Sequence, residues 1–255
     1  MDGLEGKVVV FAGGGGIAQA TAEILGAGGA KVIVGDIDAD SAGAVVQAAK
    51  SAGGEGLAVT VDIADQEQVR KHMELAVREY GRIDGLFNVA ANIHPDEVAK
   101  DTHAVDIDLG AWQRSIDVNL TSYLLTLERA LPHMITGGGG SVVNILSAAA
   151  YAGMPDKVAH SVTKAGLTAL TRHVAGKYGK HGIRANGVAP GRALTEQTKL
   201  NLPSEYQDLA LRATPSPRQG KPEDIGSMVA FLLSDRSAWI NGQMLSVGGG
   251  STMRP

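Results

Sequence analysis

Short runs rich in Val, Ile and Ala recur along the chain, separated by longer stretches in which apolar residues return every three or four positions. The runs at 7–12, 31–35, 57–61, 83–89, 141–146, 183–188 and 243–247 are mostly apolar without alternation. Strands covered on both faces read this way, because neither face meets water. The stretches at 17–28, 40–52, 65–80, 109–135, 157–180 and 222–233 carry the helical period. Strand and helix alternate in chain order. That predicts an α/β, Rossmann-like, doubly wound fold: a mostly parallel sheet of seven strands with helices on both faces and right-handed crossovers. No linker or repeat interrupts residues 1–255, so a single domain is expected. The four glycines at 137–140 fall between a helix and a strand and read as a turn.

Two stretches break the pattern. Residues 93–108 carry Asp96, Glu97, Asp101, Asp106 and Asp108 with His94 and His103, and residues 192–222 carry Pro203, Pro215, Pro217 and Pro222. Both follow the C-terminal ends of predicted strands, the edge at which open α/β sheets bind ligands. The segment 194–211 has helical character, and the region 192–222 is expected to form a substrate lid. Leu194, Leu200, Leu202 and Leu209 either meet a substrate with hydrophobic surface or face the core.

Composition narrows function by exclusion. Net charge is −4 with no basic stripe, so neither nucleic acid nor an anionic membrane is an expected partner. The absence of cysteine removes disulfides, thiolate catalysis and Cys-based metal sites. The first seven residues lack the basic start and apolar run of a signal peptide, and no apolar run has the length of a membrane span; a cytoplasmic enzyme is the expectation. The histidines and acids of 93–108 match no metal-ligand spacing and read as a solvated acidic loop, so no metal is expected.

The first predicted strand runs into Ala12-Gly13-Gly14-Gly15-Gly16-Ile17-Ala18, and a helix follows. Glycines at such a turn let the backbone approach a pyrophosphate, whose charge the helix N-terminus stabilises; an ordinary tight turn has the same composition. Asp36 ends the second strand. A carboxylate there either caps a turn or bonds both hydroxyls of an adenosine ribose, and it would repel a 2′-phosphate, which favours NAD over NADP.

Further motifs in order carry a resemblance over almost the whole chain. They are Asp62-Ile63 after the third strand, Asn88-Val89-Ala90-Ala91 after the fourth, Asp117-Val118-Asn119-Leu120 and Ser147 after the fifth. Lys164, Pro190-Gly191 with Thr195, Trp239-Ile240-Asn241-Gly242-Gln243 and the glycines at 248–250 complete the series. The chain resembles the short-chain dehydrogenase/reductase family. The resemblance implies that Gly13, Gly15, Gly16 and Ile17 hold the pyrophosphate of NAD, that Asp62 and Ile63 contact adenine, and that Asn88 and Ala90 border the cofactor. It implies further that Pro190, Gly191 and Thr195 hold the nicotinamide carboxamide. Asn119, Ser147 and Lys164 match catalytic positions, Lys164 also bonding the nicotinamide ribose. A homotetramer built on the helices 109–135 and 157–180 is implied too.

Two departures stand out. Where the family has Thr-Gly, three residues and Gly-Ile-Gly, this chain has Ala12-Gly13, two residues and Gly16-Ile17-Ala18. The turn is thus one residue shorter, without the hydroxyl and with an added methyl. The family's tyrosine, four residues before the lysine, is here His160. His160 and Lys164 share a helix face. A lone histidine is otherwise a surface or packing residue, and Tyr151, ahead of the helix, has the wrong spacing to replace the phenol. A neighbouring ammonium disfavours imidazolium, leaving a neutral base that suits alcohol oxidation better than carbonyl reduction. The leading expectation is an NAD-dependent oxidoreductase interconverting a secondary alcohol and its ketone. The alternatives are a redox-inactive dinucleotide-binding scaffold or sensor, and a non-redox lyase or isomerase using His160 as base.

Overall fold

A computed structural model describes residues 3–92, 94–191, 211–212 and 214–253. Its strands are β1 (Val8–Ala12), β2 (Lys31–Asp36), β3 (Glu55–Thr60), β4 (Gly85–Asn88), β5 (Gly140–Ile145), β6 (Ile183–Pro190) and β7 (Met244–Val247). They form one sheet in the order β3-β2-β1-β4-β5-β6-β7, with every pairing parallel. The helices are α1 (Gly16–Ala27), α2 (Ala39–Ser51), α3 (Gln66–Tyr80), α4 (Pro95–Val98), α5 (Leu109–Ile116), α6 (Ser122–Thr136), α7 (Val158–Tyr178) and α8 (Pro222–Leu233).

The unbroken apolar strands follow from burial on both sides. In β1 every residue is buried. Val9 and Phe11 point into a core with Leu25 of α1, Val45 of α2 and Val229 of α8. Val8 and Val10 point the other way, toward Met73 of α3, Leu127 of α6 and Val174 of α7. Phe11 meets Phe87 of β4 edge-on at 5.2 Å between ring centroids. The edge strand β3 has one wetter face, so its exposure varies along its length. It starts at Glu55, two residues before the apolar run, because Glu55 pairs in register with Lys31.

The predicted long helix 109–135 is divided. A π turn at Asp117–Thr121 separates α5 from α6. There the Ser122 hydroxyl donates to the Val118 carbonyl at 2.6 Å, and Asn119 turns its side chain toward the loop after β4. Side-chain bonds of this kind compete with the regular helical ladder, and single π turns cluster at functional sites. The stretch 93–108, expected to be irregular, contains the short α4, begun by Pro95. Thr195 and most of the expected lid at 192–222 lie outside the described residues. No helix among the described residues is long and apolar enough to cross a membrane.

Candidate active site

The ends of β1, β2 and β4 and the start of α1 build one half of the site. Gly13 has φ +111°, and a Cβ there would lie 2.5 Å from the Ala90 backbone nitrogen, so only glycine lets the turn close on the loop after β4. Ala90 seals that contact by donating its N–H to the Ala12 carbonyl at 2.9 Å. Gly15, just ahead of α1, has φ +88° and ψ 179°, a region that glycine alone enters readily. Nothing lies within 4 Å of the place a Gly15 Cβ would take. Gly16 and Ile17 open α1, which has no side-chain cap. An open glycine cradle at an uncapped helix start fits a pyrophosphate, because unpaired first-turn amides and the helix dipole both favour an anion.

Asp36, at the end of β2, ties this turn from the side. Its Oδ2 accepts the Gly14 N–H at 2.6 Å and its Oδ1 the Asp38 N–H at 2.8 Å. Of the two readings of this carboxylate, turn capping is therefore realised, and Asp36 stands beside the glycine turn. Ser41 of α2, which the sequence did not single out, accepts the Gly15 N–H at 3.1 Å. It supplies a hydroxyl to a turn that lost its own at Ala12.

Asp62 caps the turn after β3, accepting the Ala64 N–H at 2.9 Å, while Ile63 is buried among Ala12, Val61, Val69 and Val118. Asn88 is fully buried, and its side chain is committed elsewhere. Its Nδ2 donates to Asn144 Oδ1 at 2.9 Å, and its Oδ1 accepts from the Thr126 hydroxyl at 2.8 Å. Asn144 in turn donates to the Thr171 hydroxyl. The chain of bonds Thr126–Asn88–Asn144–Thr171 joins α6, β4, β5 and α7, so the Asn88 side chain fastens the sheet to both helices instead of lining the cleft.

The second half lies beyond β5. Ser147 heads the 3-10 turn at Ala148–Ala150, and its Oγ accepts the Ala149 N–H at 3.2 Å, which leaves the hydroxyl proton to donate. Lys164 of α7 is buried and donates to the Ile145 carbonyl, two residues before Ser147, at 2.9 Å. Its Nζ also sits 5.2 Å from the centroid of the Tyr123 ring. Burial pushes the Lys164 ammonium down to about 7. Tyr123, another residue missed in the sequence, donates its hydroxyl to the Ala90 carbonyl at 3.0 Å. It thereby links the lysine to the loop on which the glycine turn closes. Asn119, in the π turn, accepts the Asn92 N–H at 2.7 Å.

His160 lies one helical turn before Lys164 and is half-buried. Burial pushes its imidazole down to about 4; the Lys164 and Lys157 cations lower it further and Asp101 opposes them. The Asp101 carboxylate accepts the backbone N–H groups of Ala159 and His160, both at 2.9 Å. Tyr151 is packed in a cluster with Tyr123, Leu146, Leu167 and Ala189. At the end of β6, Pro190 pairs with Val247, and the Gly191 N–H reaches the Val247 carbonyl at 2.8 Å. Gly191 approaches Gly248 so closely that a Cβ on Gly191 would lie 2.4 Å from the Gly248 Cα.

Comparison with known proteins gives one consistent result. The family model described as enoyl-(acyl carrier protein) reductase matches residues 12–252. The chain is 36% identical over 248 residues to cis-4-hydroxycyclohexanecarboxylate dehydrogenase of Sinomonas cyclohexanicum, covering 97% of each chain. It superimposes on 7α-hydroxysteroid dehydrogenase complexed with NADH and 7-oxo glycochenodeoxycholic acid with a TM-score of 0.90, at 31% identity, over 98% of this chain and 96% of that one. For levodione reductase the TM-score is 0.88 at 31% identity, over 96% of this chain and 97% of the other.

Proposed function

The chain belongs to the short-chain dehydrogenase/reductase family, and on that premise we propose that it is an NAD-dependent oxidoreductase. It interconverts a secondary alcohol and its ketone with an imidazole in the place of the family's phenol. The observation that carries this reading is the register of His160 against Ser147 and Lys164 at the end of β5, beside a glycine turn that fits a pyrophosphate.

In this reading the turn from Gly13 to Ile17 holds the pyrophosphate through backbone amides. Asp36 accepts the ribose hydroxyls and disfavours a 2′-phosphate by charge. Asp62 and Ile63 border the adenine, Ala90 flanks the cofactor through its backbone, and Pro190, Gly191 and Thr195 hold the carboxamide. When bound, NAD would supply the hydride acceptor for oxidation, and its reduced form NADH the hydride donor for reduction. The Ser147 hydroxyl donates to the substrate oxygen. The unprotonated ring nitrogen of His160 takes the hydroxyl proton. Lys164 bonds the nicotinamide ribose, and with Asn119 it organises water that carries the proton outward. The region 192–222, most of it outside the described residues, is the proposed substrate lid. A cytoplasmic homotetramer is part of the proposal; Leu124 on α6 and Val162 on α7, 54% and 43% exposed, are apolar side chains on the helices that would form its interface.

The test is NADH formation across a panel of secondary alcohols, 4-hydroxycyclohexanecarboxylate and a 7α-hydroxysteroid among them. NAD binding with no turnover on any of them would defeat it. A redox-inactive dinucleotide-binding scaffold or sensor is the second reading, favoured by an imidazole pushed down to about 4 where the family has a phenol. The Gly14 and Gly15 amides are bonded to Asp36 and Ser41, so in either reading a dinucleotide must compete for that part of the turn. The second reading predicts no turnover in the native protein and no gain when His160 becomes Tyr.

A further inference from the structure

The start of α7 has an unusual cap. Its N-cap residue is Lys157, which makes no side-chain cap bond and has φ +65°, a left-handed conformation uncommon outside glycine. Every helix start must find partners for its first amides. Here a remote loop supplies them. The Lys157 N–H reaches the Asp101 carbonyl and the Val158 N–H the Thr102 carbonyl, both at 3.1 Å. The next two N–H groups, of Ala159 and His160, go to Oδ1 and Oδ2 of Asp101. Four consecutive amides are thus held by two residues between α4 and α5, and Asp101 itself is only 8% exposed.

We infer that Asp101 is the positioning residue of His160: it anchors the backbone from which the imidazole projects and sets the charge that the imidazole feels. The inference rests on the reading of His160 as the proton relay. Among the described residues, the charged groups acting on the ring are Lys164 and Lys157, both cations, and Asp101, an anion. A carboxylate that only capped the helix would be replaceable by any neutral acceptor. A carboxylate that also offsets two cations would not.

The test compares Asp101→Asn with Asp101→Glu. The amide keeps one acceptor oxygen and loses the charge; the glutamate keeps the charge and misplaces it. In the native protein at pH 4.5 about a quarter of His160 carries a proton, given an imidazole value of about 4. Among the groups acting on the ring Asp101 alone favours the protonated form, so removal of its charge lowers the imidazole further. Asp101→Asn should therefore carry a smaller protonated fraction of His160 at pH 4.5 than the native protein, read from the ring resonance in histidine-labelled protein and assigned with His160→Gln. Its alcohol oxidation at pH 4.5 should approach its own rate at pH 6.5, although kcat falls about tenfold or more at both, with KM for NAD nearly unchanged. Asp101→Glu should keep the native protonated fraction at pH 4.5.

Loss of capping alone works in the opposite sense, because a less stable protein tolerates acid less well. An unchanged His160 resonance in Asp101→Asn overturns the inference. So does failure of both variants to fold, which would leave Asp101 a purely structural cap. The resonance is readable in a protein that turns nothing over. A silent alcohol panel therefore defeats the proposed reaction without touching this result.

Discussion

Replacing His160 by Tyr should move the pH dependence of the reaction from one direction to the other. Burial and neighbouring cations hold the imidazole at about 4, and burial holds the Lys164 ammonium at about 7. Between those values His160 is neutral and Lys164 is charged. Oxidation uses the neutral imidazole, already the dominant form, so its rate should be flat across this window. Reduction needs the imidazolium, whose population falls tenfold for each pH unit above about 4. From pH 5 to 6.5 that is a loss of roughly 30-fold. At pH 7 the protonated form is about one part in a thousand, a penalty of roughly 4 kcal/mol. A phenol titrates near ~10 in water and stays protonated through the window even when a cation lowers it. In His160→Tyr reduction should therefore be flat, and oxidation, which needs the phenolate, should rise roughly 30-fold over the same interval. The overall equilibrium consumes one proton per reduction, so the ratio of the two directions must change by that factor in either protein; the side chain decides only which direction carries it. The assay is kcat/KM for NADH formation and consumption on one alcohol–ketone pair, at four pH values from 5 to 6.5, in both proteins. A native protein whose reduction is flat and whose oxidation rises would refute the reasoning and hand the proton step to a group other than His160.

Asp36→Ala removes the acceptor of the Gly14 and Asp38 amides together with a negative charge at the turn; calorimetry should show NAD binding weakened about tenfold or more and the gap to NADP narrowed, whereas an unchanged ratio would remove Asp36 from cofactor choice. Asn88→Ala leaves the buried Asn144 Oδ1 without its donor and takes one of two acceptors from the Thr126 hydroxyl, so urea unfolding should report a loss of roughly 1–3 kcal/mol; a cost under about 1 kcal/mol would contradict the network. His72 is fully buried, bonded to the Phe11 carbonyl at 2.9 Å, and pushed by burial from 6.5 down to about 4. Its folded value is the lower one, so the unfolded chain gains the proton first as pH falls, and the stability present above 6.5 drains away toward 4, by about 3 kcal/mol in all. His72→Gln, which can still donate to Phe11, should flatten that part of the slope between pH 7.5 and 4.5, and an unaltered slope would show that other groups cause it.

Elements and their order were legible because each depends on residues close in the chain. The apolar run of β1 signals burial on both faces whatever lies above and below it, and the alternation of runs and helical stretches implies the parallel crossovers. Boundaries shifted where a partner strand decides them, as at Glu55 opposite Lys31. The division of the 109–135 helix escaped the pattern because its apolar period continues through the π turn. What marks the turn is Asn119 bonding to Asn92, on a loop 27 residues away. Asn88 shows the converse. Its motif position suggests a cofactor neighbour, yet its side chain is spent on Asn144 and Thr126, partners that no local window contains.

The candidate site divides along the same line. Ser147, His160 and Lys164 could be placed in register because one strand end and one helix carry all three. The character of His160 could not be read that way. Its position says only that an imidazole stands where a phenol is expected. Whether that imidazole is a base or an acid near neutrality depends on burial, on Lys157 and Lys164, and on a carboxylate brought from the loop at Asp101. Tyr123 and Ser41 belong to the same class: one backs Lys164, the other completes a shortened turn, and each acts across a distance in sequence that spacing rules do not reach. A substitution of one catalytic side chain therefore does not settle what the site does. On the proposed mechanism, which direction carries the pH dependence follows from the electrostatic surroundings, and those are a property of the fold.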